Sequence, residues 1–151
     1  MKIAVASDHA GFPLKETVIE AVRRAGHELL DLGAAHHDPM DDYPDYAEKV
    51  GRAIQKGEAE RGVLLCGSGV GACIAVNKFK GVYASVCHDT YMARQGVEHD
   101  AMNVICLGAR VIGPEIAAEA VTAFLEARFT GDDPGQERHA RRVNKVRKLE
   151  G

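Results

Sequence analysis

The stretch Arg61–Asn77 reads R-G-V-L-L-C-G-S-G-V-G-A-C-I-A-V-N. Val63–Leu65 is a short apolar run between Gly62 and Gly67, the mark of a buried strand. Gly67-Ser68-Gly69-Val70-Gly71 is a tight loop, and Ala72–Phe79 predicts a helix. Cys66 therefore belongs at the carboxyl end of a strand, where a glycine loop feeds a helix N-terminus. The first N–H groups of a helix lack intrahelical acceptors, and glycines let another group approach the backbone. Such a place suits an oxyanion, a phosphate or a carboxylate, and it draws a neighbouring thiol toward its thiolate. The loop is G-x-G-x-G with no G-K-[ST] after it, so it is neither the dinucleotide fingerprint nor a Walker loop. A strand-to-helix turn can require a glycine, but three in five residues exceed what one turn needs.

On the N-terminal side, Lys2–Ala6 predicts a strand that ends in Ser7-Asp8-His9-Ala10-Gly11. A helix follows over Pro13–Ala25, with Leu14, Val18, Ala21 and Val22 on one face, and Gly26 stops it. His27–Leu32 predicts a second strand, Ala34–Asp45 a polar loop, and Tyr46–Lys56 a helix. On the C-terminal side the pattern predicts a strand over Val82–Cys87, a weaker helix over His88–Gly96 and a strand over Asn103–Leu107. A long helix from near Pro114 to Phe129 follows, then a break at Gly131–Gly135 and a charged helix over Gln136–Glu150. Strands and helices alternate and the strands are apolar. The expected fold is α/β: a three-layer, Rossmann-like, five-stranded parallel sheet with helices on both faces and a charged C-terminal helix, one domain over residues 1–151. In such sheets ligands bind beyond the carboxyl ends of the strands. The residues expected there are Asp8-His9, Cys66–Gly71, His88-Asp89 and Gly108–Arg110.

Composition narrows the function. Hydrophobic residues are 46% and charged residues 27% of 151, as in a soluble globular protein. The net charge of -3 argues against nucleic acid as a partner. The opening M-K-I-A-V-A-S-D reads as a strand and not a signal peptide, and no apolar run is long enough to span a membrane. The four cysteines form no C-x-x-C pair and lie in or beside apolar runs, as reduced thiols of a cytoplasmic protein do. Cys73, Cys87 and Cys106 are expected in the core.

Asp8 and His9 end the first strand, where a site is expected, although a turn Asp beside a solvated His has the same spelling. His99, in E-H-D-A-M-N, is expected in a loop before the fifth strand. Arg110 either binds an anion or pairs with a surface acid. Arg138 and Arg142 are four apart on one helix face and can clamp a phosphate, but they sit in a charge run of the kind that is usually solvated. The group His36, His37, Asp38, Asp41 and Asp42 matches no metal motif and reads as a polar loop.

These segments, with Asp42-Tyr43-Pro44, Ile74-Ala75-Val76-Asn77-Lys78, Glu98-His99-Asp100, Asn103–Arg110 and Arg138-His139, resemble the ribose-5-phosphate isomerase B family. That family also includes galactose-6-phosphate and allose-6-phosphate isomerases. The likeness runs through nearly the whole chain in the same order. It implies a homodimer or higher oligomer with sites at the subunit interface. The reaction it implies is aldose–ketose isomerisation of a sugar phosphate through a cis-enediolate, without metal or organic cofactor. By the same resemblance, Cys66 is the base that moves a proton between C1 and C2. The amides of Gly67, Ser68, Gly69, Val70 and Gly71 surround the enediolate, and Ser68 assists transfer between oxygens. His99, from the other subunit, opens the sugar ring. Asp8 binds hydroxyls, and His9, Arg138 and Arg142 hold the phosphate with Arg110 nearby. Where one branch of the family has a glutamate base just after the loop, this chain has Ala72. Asp100 takes the place of a common Asn on the substrate side of the site. An ionised Asp only accepts hydrogen bonds and repels anions, which leaves five-carbon and six-carbon substrates both open. A non-catalytic sugar-phosphate sensor and a thiol hydrolase with Cys66 as nucleophile are the readings from other classes.

Overall fold

The computed structural model describes residues 1–151. The elements run β1 (Lys2–Ser7), a 3₁₀ turn (Phe12–Leu14), α1 (Lys15–Arg24), β2 (Glu28–Asp31), α2 (Tyr43–Gln55) and β3 (Arg61–Cys66). They continue with α3 (Val70–Val76), β4 (Ala84–Val86), α4 (Thr90–Asp100), β5 (Val104–Gly108), α5 (Pro114–Glu126) and α6 (Glu137–Lys148). All five strands are parallel, in the order β2-β1-β3-β5-β4. The three-layer α/β fold expected from the sequence is the fold observed.

Alternation along the strands builds the two halves of the core. Ile3 and Val5, Val63 and Leu65, and Ile105 and Leu107 face the layer of α1, α4 and α5. Ala4 and Ala6, Leu64 and Cys66, and Val104 and Cys106 face the layer of α2 and α3. The smaller residues lie on the α2/α3 side. The chain leaves β1 toward β2 on one flank and returns to β3 on the other. The crevice of a doubly wound sheet opens at that reversal, so the ends of β1 and β3 are brought side by side.

Several boundaries differ from the expected ones, each for a local reason. Helix α2 begins at Tyr43 rather than Tyr46, because Pro44 is well suited to a first helical turn. Helix α3 stops at Val76, where the Asn77 amide donates to the Ala84 carbonyl at 2.9 Å and accepts from the Ala84 N–H at 2.9 Å. Helix α5 stops at Glu126, and the Arg61 guanidinium holds the next carbonyl, of Ala127, at 2.7 Å. The largest change concerns α4. It is capped by Asp89, whose carboxylate accepts from the Met92 N–H at 2.7 Å, and it runs through Gly96 to Asp100. Gly96 does not end the helix but leaves room there for the Met102 side chain. His99 and Asp100 are thus on the last turn of a helix, not in a loop.

Candidate active site

Beyond the carboxyl ends of β1, β3 and β5 lies a cleft of about 350 Å³. Its walls are Asp8, His9 and Ala10 after β1, Cys66, Gly67, Ser68 and Gly71 after β3, Arg110 and Val111 after β5, and Tyr43 from α2. The cleft gathers seven residues expected from the sequence, and Arg110 pairs with no carboxylate.

Cys66 is only 4% exposed, and its sulfur accepts the Gly69 N–H at 3.1 Å. That bond needs the loop to turn back on itself. Gly69 does so at φ +83, where a β-carbon would also lie 3.2 Å from the Leu107 carbonyl carbon. The loop divides its donors. The N–H of Gly69 serves the thiol and that of Val70 donates to Ser68 Oγ at 3.2 Å, while those of Gly67, Ser68 and Gly71 donate to no group of the chain. Three unused donors beside a sulfur are what a developing oxyanion requires. The loop is pinned from behind by β5: Ala109 N–H to Cys66 O at 2.9 Å, and Arg110 N–H to Gly67 O at 3.0 Å. The Gly108 N–H in turn donates to His88 Nε2 at 2.9 Å. Burial holds His88 below the usual histidine range, which suits that accepting nitrogen.

Across the cleft, Asp8 is buried and its carboxylate accepts the Gly11 N–H at 2.9 Å. His9 is held by Asp41, which accepts the His9 backbone N–H at 3.0 Å and contacts Nδ1 at 2.7 Å. Burial pushes the Asp41 carboxyl up. The hydrogen bonds from the His9 backbone and ring outweigh burial, so Asp41 titrates below the usual carboxylate range. Reading the sequence left Asp41 in a polar loop, and its pairing across 32 residues has no local signal. Tyr43 and Val111 also line the cleft without having been singled out for a role. The donor atoms of Asp8, His9 and Asp41 lie within 4.8 Å of one another, close enough for a cation, with His9 Nδ1 already engaged by Asp41.

His99, Asp100, Arg138 and Arg142 are not among the residues lining the cleft. His99 stacks on His139 of α6, with ring centroids 3.9 Å apart and planes 13° from parallel. Arg138 and Arg142 are exposed on α6. Asp100 is exposed and helps line a separate hollow of about 330 Å³ with Tyr83, Met92 and Val146. Of the other thiols, Cys87 and Cys106 are buried as expected, whereas Cys73 is half-buried. The neighbouring Cys106 thiol favours the charged form of Cys73, burial opposes it, and the Val86 backbone and the Asn77 amide add to the first, bringing Cys73 down to about 7.

A parallel sheet with its cleft at the topological switch point, a thiol on one wall and open N–H donors beside it, defines an α/β enzyme for small anionic molecules. Residues 3–146 match the model of a family described as Ribose/Galactose Isomerase. The chain is 40% identical to Ribose-5-phosphate isomerase B of Escherichia coli, over 99% of this chain and 96% of that one. It is 42% identical to D-erythrulose-4-phosphate isomerase of Pectobacterium atrosepticum, over 87% and 86% of the two chains. Among solved structures, Ribose-5-phosphate Isomerase B from Mycoplasma genitalium with bound Ribulose-5-phosphate superposes with a TM-score of 0.90, at 37% identity, over 99% of this chain and 95% of that one. The chain belongs to the ribose/galactose isomerase family, and it is a sugar-phosphate isomerase. None of its helices is long and apolar enough to cross a membrane.

Proposed function

We propose that this chain interconverts ribose 5-phosphate and ribulose 5-phosphate by proton transfer through a cis-enediolate, with Cys66 as the base. The observation that carries this reading is the buried Cys66 sulfur, bonded to the Gly69 N–H, beside the unused donors of Gly67, Ser68 and Gly71. The Gly69 N–H fixes the sulfur beside those donors. As the thiolate takes the proton from C2, negative charge moves onto O1, where the free amides stabilise it. Ser68 moves the proton between O1 and O2, and the thiol returns a proton to C1. Asp8 orients the sugar hydroxyls. His9, aimed by Asp41, and Arg110 face the anionic end of the substrate.

The remaining parts come from a second copy of the chain. His99 opens the sugar ring, and Arg138 and Arg142 clamp the phosphate, supplying remote binding energy that orients the reacting carbons. A homodimer with two such sites accounts for the distance of these residues from the cleft. It would also cover Val70 and Ile74, which α3 leaves 52% and 60% exposed. No metal or organic cofactor takes part. We assign the protein to the cytoplasm on its four unpaired cysteines. A second reading keeps the mechanism and changes the sugar: the likeness to a D-erythrulose-4-phosphate isomerase points to four carbons, and the family's description to six.

The test is isomerisation of ribose 5-phosphate with excess EDTA, beside erythrose 4-phosphate, allose 6-phosphate and galactose 6-phosphate, with Cys66→Ala as control. Ribulose 5-phosphate formation that survives EDTA and is lost in Cys66→Ala supports the first reading. Turnover of another sugar alone supports the second. Loss of activity in EDTA would refute the metal-free mechanism.

A further inference from the structure

His139 is a buried histidine for which the reaction scheme has no use. It is 3% exposed, and its Nε2 is buried with no hydrogen-bond partner. Burial first, then the charges of His99, Arg138 and Arg142, hold it below the usual histidine range, with Asp100 pulling weakly the other way. Its Nε2 makes no bond and its ring is not a cation at neutral pH, so what it offers is its flat face. His99 lies on that face, 3.9 Å away and within 13° of parallel. The edge of His99 is held separately, by the Gln95 side-chain amide at 3.0 Å from Nδ1. A ring fixed through its face and through one nitrogen has a single direction left for the other nitrogen.

We propose that His139 is a positioning residue, an aromatic platform that sets the plane of His99 so that its Nε2 meets the ring oxygen of the sugar. The inference rests on the ring-opening role given to His99 above. Opening the furanose breaks the C1–O4 bond, delivers a proton to O4 and removes one from the O1 hydroxyl. A ring that tilts freely misses O4. Misplacement by about 1 Å costs on the order of 10²-fold in rate. The platform matters for this step alone. In ribulose 5-phosphate the C5 oxygen carries the phosphate and cannot close a ring on C2. That sugar is open-chain and needs no ring opening.

The experiment compares wild type with His139→Leu, which fills the space without a flat face, and His139→Phe, which restores the face without nitrogen. Two rates are measured: consumption of ribose 5-phosphate, and deuterium wash-in at C1 of ribulose 5-phosphate in D₂O. His139→Leu slows the first by roughly 10-fold to 10²-fold and leaves the second within about two-fold, and His139→Phe recovers the first. The His99 ring-proton resonances, shifted upfield by the stack in wild type and His139→Phe, return toward free histidine in His139→Leu. An equal fall in both rates, no fall in either, or a His139→Phe as slow as His139→Leu overturns the proposal. So does a wild type without the upfield shift. A wild type with the shift that leaves both sugars untouched refutes the functional reading and not the stack.

Discussion

Gly108 is where the fold and the chemistry can be separated by one methyl group. A β-carbon built on it lies 2.6 Å from the carbonyl carbon of Ser68, and 2.7 Å from both its Cα and its oxygen. These are backbone atoms, so no side chain can swing aside. Ordinary contact begins near 3.4 Å, and Gly108→Ala must push the Ser68 backbone by about 0.8 Å or displace the end of β5. Overpacking of this kind costs ~1–3 kcal/mol. At ~2–4 °C per kcal/mol for a chain of this size, the melting temperature falls by roughly 2–12 °C. The effect on turnover is larger in proportion. Ser68 lies between Cys66 and the Gly69 N–H that bonds its sulfur at 3.1 Å, and a shift of about 1 Å in a reacting group costs on the order of 10²-fold. Thermal melts followed by circular dichroism, with ribulose 5-phosphate formation, measure both. Gly113→Ala is the matched control, since a β-carbon there meets only Glu115 Oε2 at 3.9 Å; it should change stability by less than ~0.5 kcal/mol. A Gly108→Ala protein that melts with wild type and turns over at the wild-type rate would refute the reasoning.

Other perturbations read other parts of the site. Gly71→Ala brings a β-carbon within 2.7 Å of the Tyr43 ring; turnover drops about 10-fold, and a double-mutant cycle with Tyr43→Ala shows that Tyr43→Ala relieves the loss. Asp41→Asn removes a charged acceptor whose hydrogen bonds are worth ~1.5–3 kcal/mol each, weakening substrate binding through His9 and lowering the urea midpoint at pH 7. Because the folded state lowers the Asp41 pKa, its contribution is present above the usual carboxyl value of ~3.9 and disappears as pH falls through the folded value. The Asn variant and wild type should therefore converge in stability at low pH, and a constant gap down to acid would contradict the assignment. Thiolate absorbance at 240 nm should rise with a midpoint of about 7 from Cys73 and lose that component in Cys73→Ser; persistence of that component in Cys73→Ser would refute it.

The parts of this site that were legible in the sequence are those whose determinants are local. The alternation of Val63 and Leu65 against Leu64 and Cys66, followed by three glycines, places a thiol at a strand end beside a helix start. Parallel order and the switch point then bring Asp8 and His9 next to it, because the sheet has few ways to be wound. What was not legible depends on pairs far apart in the chain. Asp41 belongs to His9 only because the long loop before α2 folds back over the end of β1. His139 belongs to His99 only because α6 lies along α4. The weak pattern over His88–Gly96 gives no sign that α4 continues to Asp100, with the Met102 side chain filling the space beside Gly96.

The same two sets of contacts divide the candidate residues between two halves of the molecule. The thiol, its donors and Arg110 are bound into one body by the β3–β5 hydrogen bonds and the Gly108–His88 bond. His99, Arg138 and Arg142 are bound into another by the α4–α6 packing and the imidazole stack. Neither body needs the substrate to take shape, since the bonds that set each are made within the chain. If two copies meet so that one body faces the other, association alone completes the site, and little side-chain entropy remains to be lost when the sugar phosphate arrives. A ring-opening acid of the proposed kind, carried on a loop, would have to be ordered at each turnover. His99, on a capped helix and stacked on a buried ring, is ordered once, when the chain folds.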